Sequence, residues 1–254
     1  MWTTADPATS AGSSTLIAVR TAMDATISGQ VGGSPAQDAD FITAVYSDAP
    51  WVILAIVVVT FVLLARALRS LWLPVKALLL NVVSISAAYG LTVLIWQHGI
   101  GTQTLFSTTA SGTITIWVPI AVFAFLFGLS MDYEVFILSR MRESFDQQGS
   151  TDRAVVAGIA STGRLVTSAA LILFLSFVAL STVPSVDVKI LATALALGIA
   201  IDALIVRTLL TPALVSLLGR FNWTLPDRLA KVLLLPLDQA GAPSSSRPGR
   251  HRAR

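Results

Sequence analysis

Five stretches of the chain, 51–68, 71–96, 116–139, 165–183 and 190–210, are almost wholly apolar. Each is close to the ~20 residues that an α-helix needs to cross the hydrocarbon core of a bilayer. None shows the strict two-residue alternation of a membrane barrel, so all five read as helices. Charged residues enter these runs only at Arg66, Lys76, Asp132, Glu134, Asp202 and Arg207. The expected fold class is therefore an all-α polytopic membrane protein with five spans.

The flanking segments have a different pattern. The stretch 13–24 predicts a short helix capped by Ser13 or Ser14, and 25–32 predicts a short strand ending at Gly32 and Gly33. A helix followed by a strand suggests the end of an α+β domain, assigned to residues 1–35. Residues 36–50 lead into the first span as an amphipathic extension, and the membrane domain is taken as 36–220. The small apolar residues 154–163 predict an interfacial helix lying before the fourth span. A basic tail, 221–254, follows, and its Pro/Ser/Arg-rich end, 241–254, predicts disorder. This tail reads as solvated, with its arginines within reach of anionic lipid.

Composition sharpens this picture. Apolar residues make up 54%, charged residues 12%, and mean hydropathy is +0.76. An ordinary soluble domain carries roughly 25% charged residues. Soluble enzymes, fibrous proteins and disordered chains are excluded. There are no cysteines, so disulfides and thiolate metal sites are excluded. His98 and His251 are too few and too far apart for a metal constellation. No cofactor and no nucleic-acid partner is expected.

Charge placement sets orientation. Of seventeen Lys and Arg residues, all but Arg20 and Lys189 fall on one side of the five spans. Basic loops stay in the cytoplasm, so the C-terminus is expected inside and the N-terminus outside. A polar N-terminal segment without a signal-peptide pattern must then cross the membrane. This points to an earlier membrane helix, and the chain reads as part of a larger protein or one half of a split one.

Ionisable groups inside spans are costly, ~2.5–3.5 kcal/mol each at a helix centre, and are functional candidates by default. Asp132 lies well inside the third span. A carboxylate that is costly to keep charged there can take up and release protons. Tyr133 beside it can donate to a carboxylate on a neighbouring helix. Gly128, one turn before Asp132, shares its face and admits a close helix. Glu134 stands about 200° around the helix from Asp132 and reads as an inner-cavity or interface group. Asp202, with Gly198 one turn before it, reads either as functional or as a loose salt bridge with Arg207. Lys76 and Arg207 read as interface anchors that snorkel toward the inner surface. Ser168, Thr167 and Asn81 are polar residues able to line the bundle.

The segments FGLSMDYEVFILSRMRE, TGRLVTSAALILF and GIAIDALIVRTLLTPALVSLLGRFNWTLP closely resemble the MmpL branch of the resistance-nodulation-division (RND) transporters of actinobacteria. The resemblance runs from about residue 12 to 226. It implies a twelve-helix transporter built from two similar halves, with porter domains after helices one and seven. The spans here would be helices eight to twelve, and residues 1–35 the end of the second porter domain. The resemblance also implies export of lipids or other apolar compounds across the bacterial cell membrane, driven by proton influx, with protons as the coupling ion. Asp132 and Tyr133 match the family's Asp-Tyr proton relay on helix ten. The facing pair on helix four has no counterpart in this chain.

Two other readings stand beside this one. One is a non-transporting or split half that needs a partner half. An intramembrane aspartyl protease would use Asp132 and Asp202 with the triplet Pro212-Ala213-Leu214. The contexts GLSMD and GIAID lack the Gly-x-Gly-Asp of that class.

Overall fold

A computed structural model describes residues 10–26 and 31–224. Helices in chain order are α1 (Ser10–Thr26), α2 (Ser34–Phe41), α3 (Ala49–Leu68), α4 (Trp72–Trp96), α5 (Thr102–Phe106), α6 (Val118–Gln148), α7 (Thr151–Leu180), α8 (Val186–Ile201) and α9 (Thr211–Leu218). Two π-helical segments, Ile42–Tyr46 and Asp202–Leu210, join α2 toward α3 and α8 to α9. A 3-10 turn, Gly219–Trp223, closes the described chain. Among the described residues, five helical runs are long and apolar enough to cross a membrane: Ala36–Leu68, Trp72–Trp96, Val118–Gln148, Thr151–Leu180 and Val186–Trp223. The protein is an all-α, multi-pass membrane protein.

Local chemistry sets the helix ends. Pro50, Pro119 and Pro212 sit in the first turns of α3, α6 and α9, where a missing N–H costs nothing. Gly149 ends α6 with φ +65, and its N–H donates to the Phe145 carbonyl at 2.8 Å. Arg69 takes a left-handed conformation (φ 47) after α3 and turns the chain into α4.

Several expectations change. Helix α1 begins at Ser10, so Ser13 and Ser14 lie inside it and do not cap it. The strand expected at 25–32 is not formed where the chain is described: Ala25 and Thr26 belong to α1, and Val31 and Gly32 are irregular. Residues 27–30 lie outside the described residues, as do 1–9 and the tail 225–254 with its expected disorder. The interfacial helix expected at 154–163 is instead the first half of α7. Its small residues are the reason. A Cβ on Gly158 would stand 2.4 Å from Met141 Cγ and 3.2 Å from the Met141 backbone nitrogen. Helices α6 and α7 therefore pack backbone to backbone, and the segment continues straight into the bundle.

The inner end of the bundle extends past the 221 boundary read from the sequence. Asn222 and Trp223 are buried. Asn222 donates from Nδ2 to the Val215 and Gly219 carbonyls at 2.6 and 2.7 Å, and its backbone carbonyl accepts from Ser70 Oγ. The Trp223 ring stacks on Phe145 at 4.3 Å. The 3-10 turn thus ties together the ends of α4, α6 and α9.

The packed interior has two apolar clusters. One contains Ile85, Trp96, Val122, Leu126, Leu195 and Ile199. The other contains Leu68, Leu73, Leu138, Met141, Val155 and Val215. On α4, α6 and the α8–α9 run, the buried polar residues Asn81, Ser84, Ser130, Glu134, Asp202, Arg207 and Thr211 fall between the two. Helix α3 and the outward face of α7 leave large apolar side chains exposed, among them Val58, Val59, Leu63, Ile172 and Leu175. Those surfaces suit hydrocarbon, which needs no polar covering.

Candidate functional site

The polar layer is organised around Arg207. Its side chain is 3% exposed, so every nitrogen needs a protein partner. Arg207 Nε donates to Asp202 Oδ2 at 2.7 Å, and Nη2 donates to the same oxygen at 2.5 Å. Nη2 also donates to the Ser130 carbonyl at 2.6 Å. Ser130 Oγ donates to Asp202 Oδ1 at 3.0 Å. The guanidinium lies over the Tyr133 ring at 5.1 Å. Nη1 is buried without a hydrogen-bond partner among the described residues, 4.0 Å from Glu134 Oε2. Glu134 is itself buried and accepts from Thr211 Oγ1 at 3.4 Å.

The backbone explains why Asp202 and Arg207 meet. In an α-helix, positions i and i+5 stand about 140° apart. Both residues belong to the π-helical segment Asp202–Leu210. Its wider turn closes i to i+5, so the two side chains rise from one face. The loose pair expected from the sequence is instead a tight, doubly hydrogen-bonded one. Pro212, at the start of α9, cannot donate to an i−4 carbonyl, so the helical register restarts there.

Arg207 does not snorkel, and neither does Lys76. Lys76 Nζ donates to the Leu214 carbonyl at 2.9 Å and to Asn222 Oδ1. Both expected anchors are buried: α9 and the 3-10 turn supply the acceptors for Lys76, while Asp202 and Ser130 supply those for Arg207.

Asp132 lies elsewhere. It is exposed near the middle of α6, and so is Gly128, which has nothing within 4 Å of a built Cβ. Tyr133 is half-buried between this flank and Arg207. It lines a cavity of about 20 Å³ together with Ser84, Ser130, Asp202 and Arg207. Gly198 faces inward: a Cβ there would meet Leu126 Cδ1 at 2.4 Å. Ser168 is exposed on α7 and bonds the Arg164 carbonyl one turn back, away from this layer. The structure therefore brings together Tyr133, Glu134, Asp202 and Arg207, and leaves Asp132 and Ser168 outside.

Ser130 and Thr211 were not singled out from the sequence. A signal was present: Ser130 precedes Glu134 by one helical turn, on the face opposite Asp132. Above this layer, an open apolar groove of about 740 Å³ runs between α3, α4 and α6, lined by Ile53, Tyr89, Phe123 and Phe127. The Tyr89 hydroxyl donates to the Pro119 carbonyl at 2.6 Å.

A family model described as "MMPL family" matches residues 1–251. The chain belongs to the MMPL family. Among its relatives is the mycolic acid-containing lipids exporter MmpL11 of Mycolicibacterium smegmatis, 41% identical over 203 residues, 80% of this chain and 21% of that protein. The heme uptake protein MmpL11 of Mycobacterium tuberculosis is 39% identical over 207 residues, 80% of this chain and 21% of that protein. The trehalose monomycolate exporter MmpL3 of M. smegmatis is 36% identical over 202 residues, 80% of this chain and 20% of that protein. The chain thus spans about a fifth of the length of these relatives, whose names are those of transporters. The structure does not bring the two aspartates of the protease reading together: Asp202 is paired with Arg207, while Asp132 is exposed on the other face of α6.

Proposed function

We propose that this MMPL chain is part of a proton-motive-force-driven exporter of lipids or other apolar compounds in the bacterial cell membrane, with Asp132 and Tyr133 as its proton relay. The observation that carries this reading is the place of Asp132. It is a carboxylate exposed near the middle of a membrane-spanning helix, beside a glycine with open space around it. A carboxylate turned to hydrocarbon is costly, so this flank calls for protein, and Gly128 allows a helix to approach closely. That partner is a further half of the transporter, whose own polar groups face Asp132. The same feature favours the half-transporter reading over an isolated unit.

Proton uptake at Asp132 removes a charge from the flank and loosens its pairing with that half. Tyr133 connects the flank to Arg207, whose guanidinium its ring faces. The π-helical segment at 202–210 is the element whose packing then changes, and rocking of one half against the other moves the substrate. Each proton carried across 100 mV supplies ~2.3 kcal/mol. The groove beside α3 suits an acyl chain, because its lining is apolar and its tyrosine hydroxyls bond backbone carbonyls. The relatives named as lipid exporters support that substrate class.

In the full transporter that carries this segment, Asp132→Asn is expected to abolish export while membrane insertion and protein level stay normal. Tyr133→Phe is expected to slow it. Near-normal proton-driven export by Asp132→Asn overturns the relay. The isolated chain in proteoliposomes is expected to export nothing, and robust export would instead indicate a homo-oligomeric transporter. The proposed orientation is N-terminus outside and the α6–α7 connection at Gly149 and Ser150 inside. A single Ser150→Cys in this cysteine-free chain should resist impermeant thiol reagents in intact cells, and labelling there reverses the topology.

A further inference from the structure

The buried layer holds two carboxyls and one cation, and its charges do not balance as written. Asp202, Glu134 and Arg207 are all buried, with side chains 11%, 5% and 3% exposed. With both carboxyls ionised the cluster would carry a net negative charge between two apolar clusters. Arg207 can neutralise only one of them at a time. In the arrangement seen, that one is Asp202, which takes both short guanidinium bonds and the Ser130 hydroxyl. Glu134 is left with a hydroxyl at 3.4 Å and a guanidinium nitrogen at 4.0 Å. The charges acting on Glu134 are those of Arg207 and Asp202, both on the π-helical segment, while α9 contributes the Thr211 hydroxyl. On α4, Lys76 is engaged by Leu214 and Asn222.

We propose that Glu134 is a proton-binding site: the cluster stores one proton, held on Glu134 while Arg207 is seated on Asp202, and held on Asp202 when Arg207 moves across to Glu134. The exchange conserves charge. One carboxyl O–H breaks and another forms, and the guanidinium stays protonated throughout. Arg207 Nη1, buried without a hydrogen-bond partner among the described residues, already lies 4.0 Å from the second seat, Glu134 Oε2. The Asp202–Arg207 contact is thus one of two positions of a switch rather than a fixed structural bridge. The inference deepens the proton-relay reading and adds a second proton site on the opposite face of α6 from Asp132.

The chain itself offers a direct test, because Glu134 and Glu143 are its only glutamates and Glu143 is exposed. Infrared difference spectra of the purified chain in lipid nanodiscs at neutral pH should show a protonated-carboxyl C=O band. Glutamate labelled with 13C in the side-chain carboxyl should shift that band, with no substitution needed. Glu134→Gln should abolish it. Asp202→Asn should abolish it too, since Arg207 then pairs with an ionised Glu134. Asp132→Asn should leave it in place. An unlabelled band that ignores the glutamate isotope, a band that survives Glu134→Gln, or no band at all overturns the proposal. The outcome is independent of export: failure of the Asp132 relay appears as transport retained in Asp132→Asn, with the infrared band unchanged.

Discussion

The two faces of α6 carry the same chemistry in opposite settings. Asp132 and Glu134 are two residues apart, yet one is exposed beside an open glycine and the other is buried beside an arginine. The buried face draws its partners from this chain: cation, two carboxyls, serine and threonine meet within the described residues. The exposed face is open: its carboxylate is exposed, and nothing among the described residues lies within 4 Å of a Cβ built on its glycine. Stability should therefore reside on the Glu134 face, and coupling to the rest of the transporter on the Asp132 face.

The sharpest way to break this contrast is at Arg207. Arg207→Met leaves two buried carboxyls without their cation and should cost ~3–5 kcal/mol, read by chemical unfolding of the purified chain in micelles. Replacing Arg207, Asp202 and Glu134 together by apolar residues should recover most of that loss. A cost below ~1 kcal/mol for the single change would put the two faces on equal footing.

Packing glycines give the next effect. Gly158→Ala forces a Cβ against the Met141 backbone and should cost ~1–3 kcal/mol by the same measurement. Gly198→Ala meets only Leu126 side-chain atoms, which can turn aside, so its cost should be lower.

The smallest changes belong to the exposed face. Gly128→Ala has open space and should be neutral or gain up to ~1 kcal/mol from helix propensity. Asp132→Asn should stay within ~0.5 kcal/mol of the parent. Export in the full transporter should follow the reverse order, with Asp132→Asn the most damaging of these two. A bulky Gly128→Leu that left export intact would show that no helix docks on this flank.

Much of the architecture was legible because crossing hydrocarbon imposes a length and a polarity on each segment. All five spans were visible as apolar runs, with ends off by several residues. The last turns of α6, 140–148, and the first half of α7 were hidden by their charges and small residues, which read as loop and interface. At the site, Asp132 and Tyr133 stood out by position alone. Ser130 and Thr211 did not, since a hydroxyl in an apolar run is ordinary until a partner stands opposite it.

The sequence by itself determined the number of spans, the membrane class, the family and which ionisable residues lie within the spans. These follow from one-dimensional quantities: run length, charge placement and motif. Tertiary structure decided which carboxyl is buried, which arginine nitrogen lacks a partner, and that Lys76 and Arg207 turn inward rather than toward the interface. Those outcomes depend on the register shift of the π-helical segment and on the 3-10 turn folding back over α4. The first turns Asp202 and Arg207 onto one face, where they meet Ser130 of α6, and the second carries Asn222 to Lys76, so these meetings with residues distant in sequence are set by packing rather than by local preference.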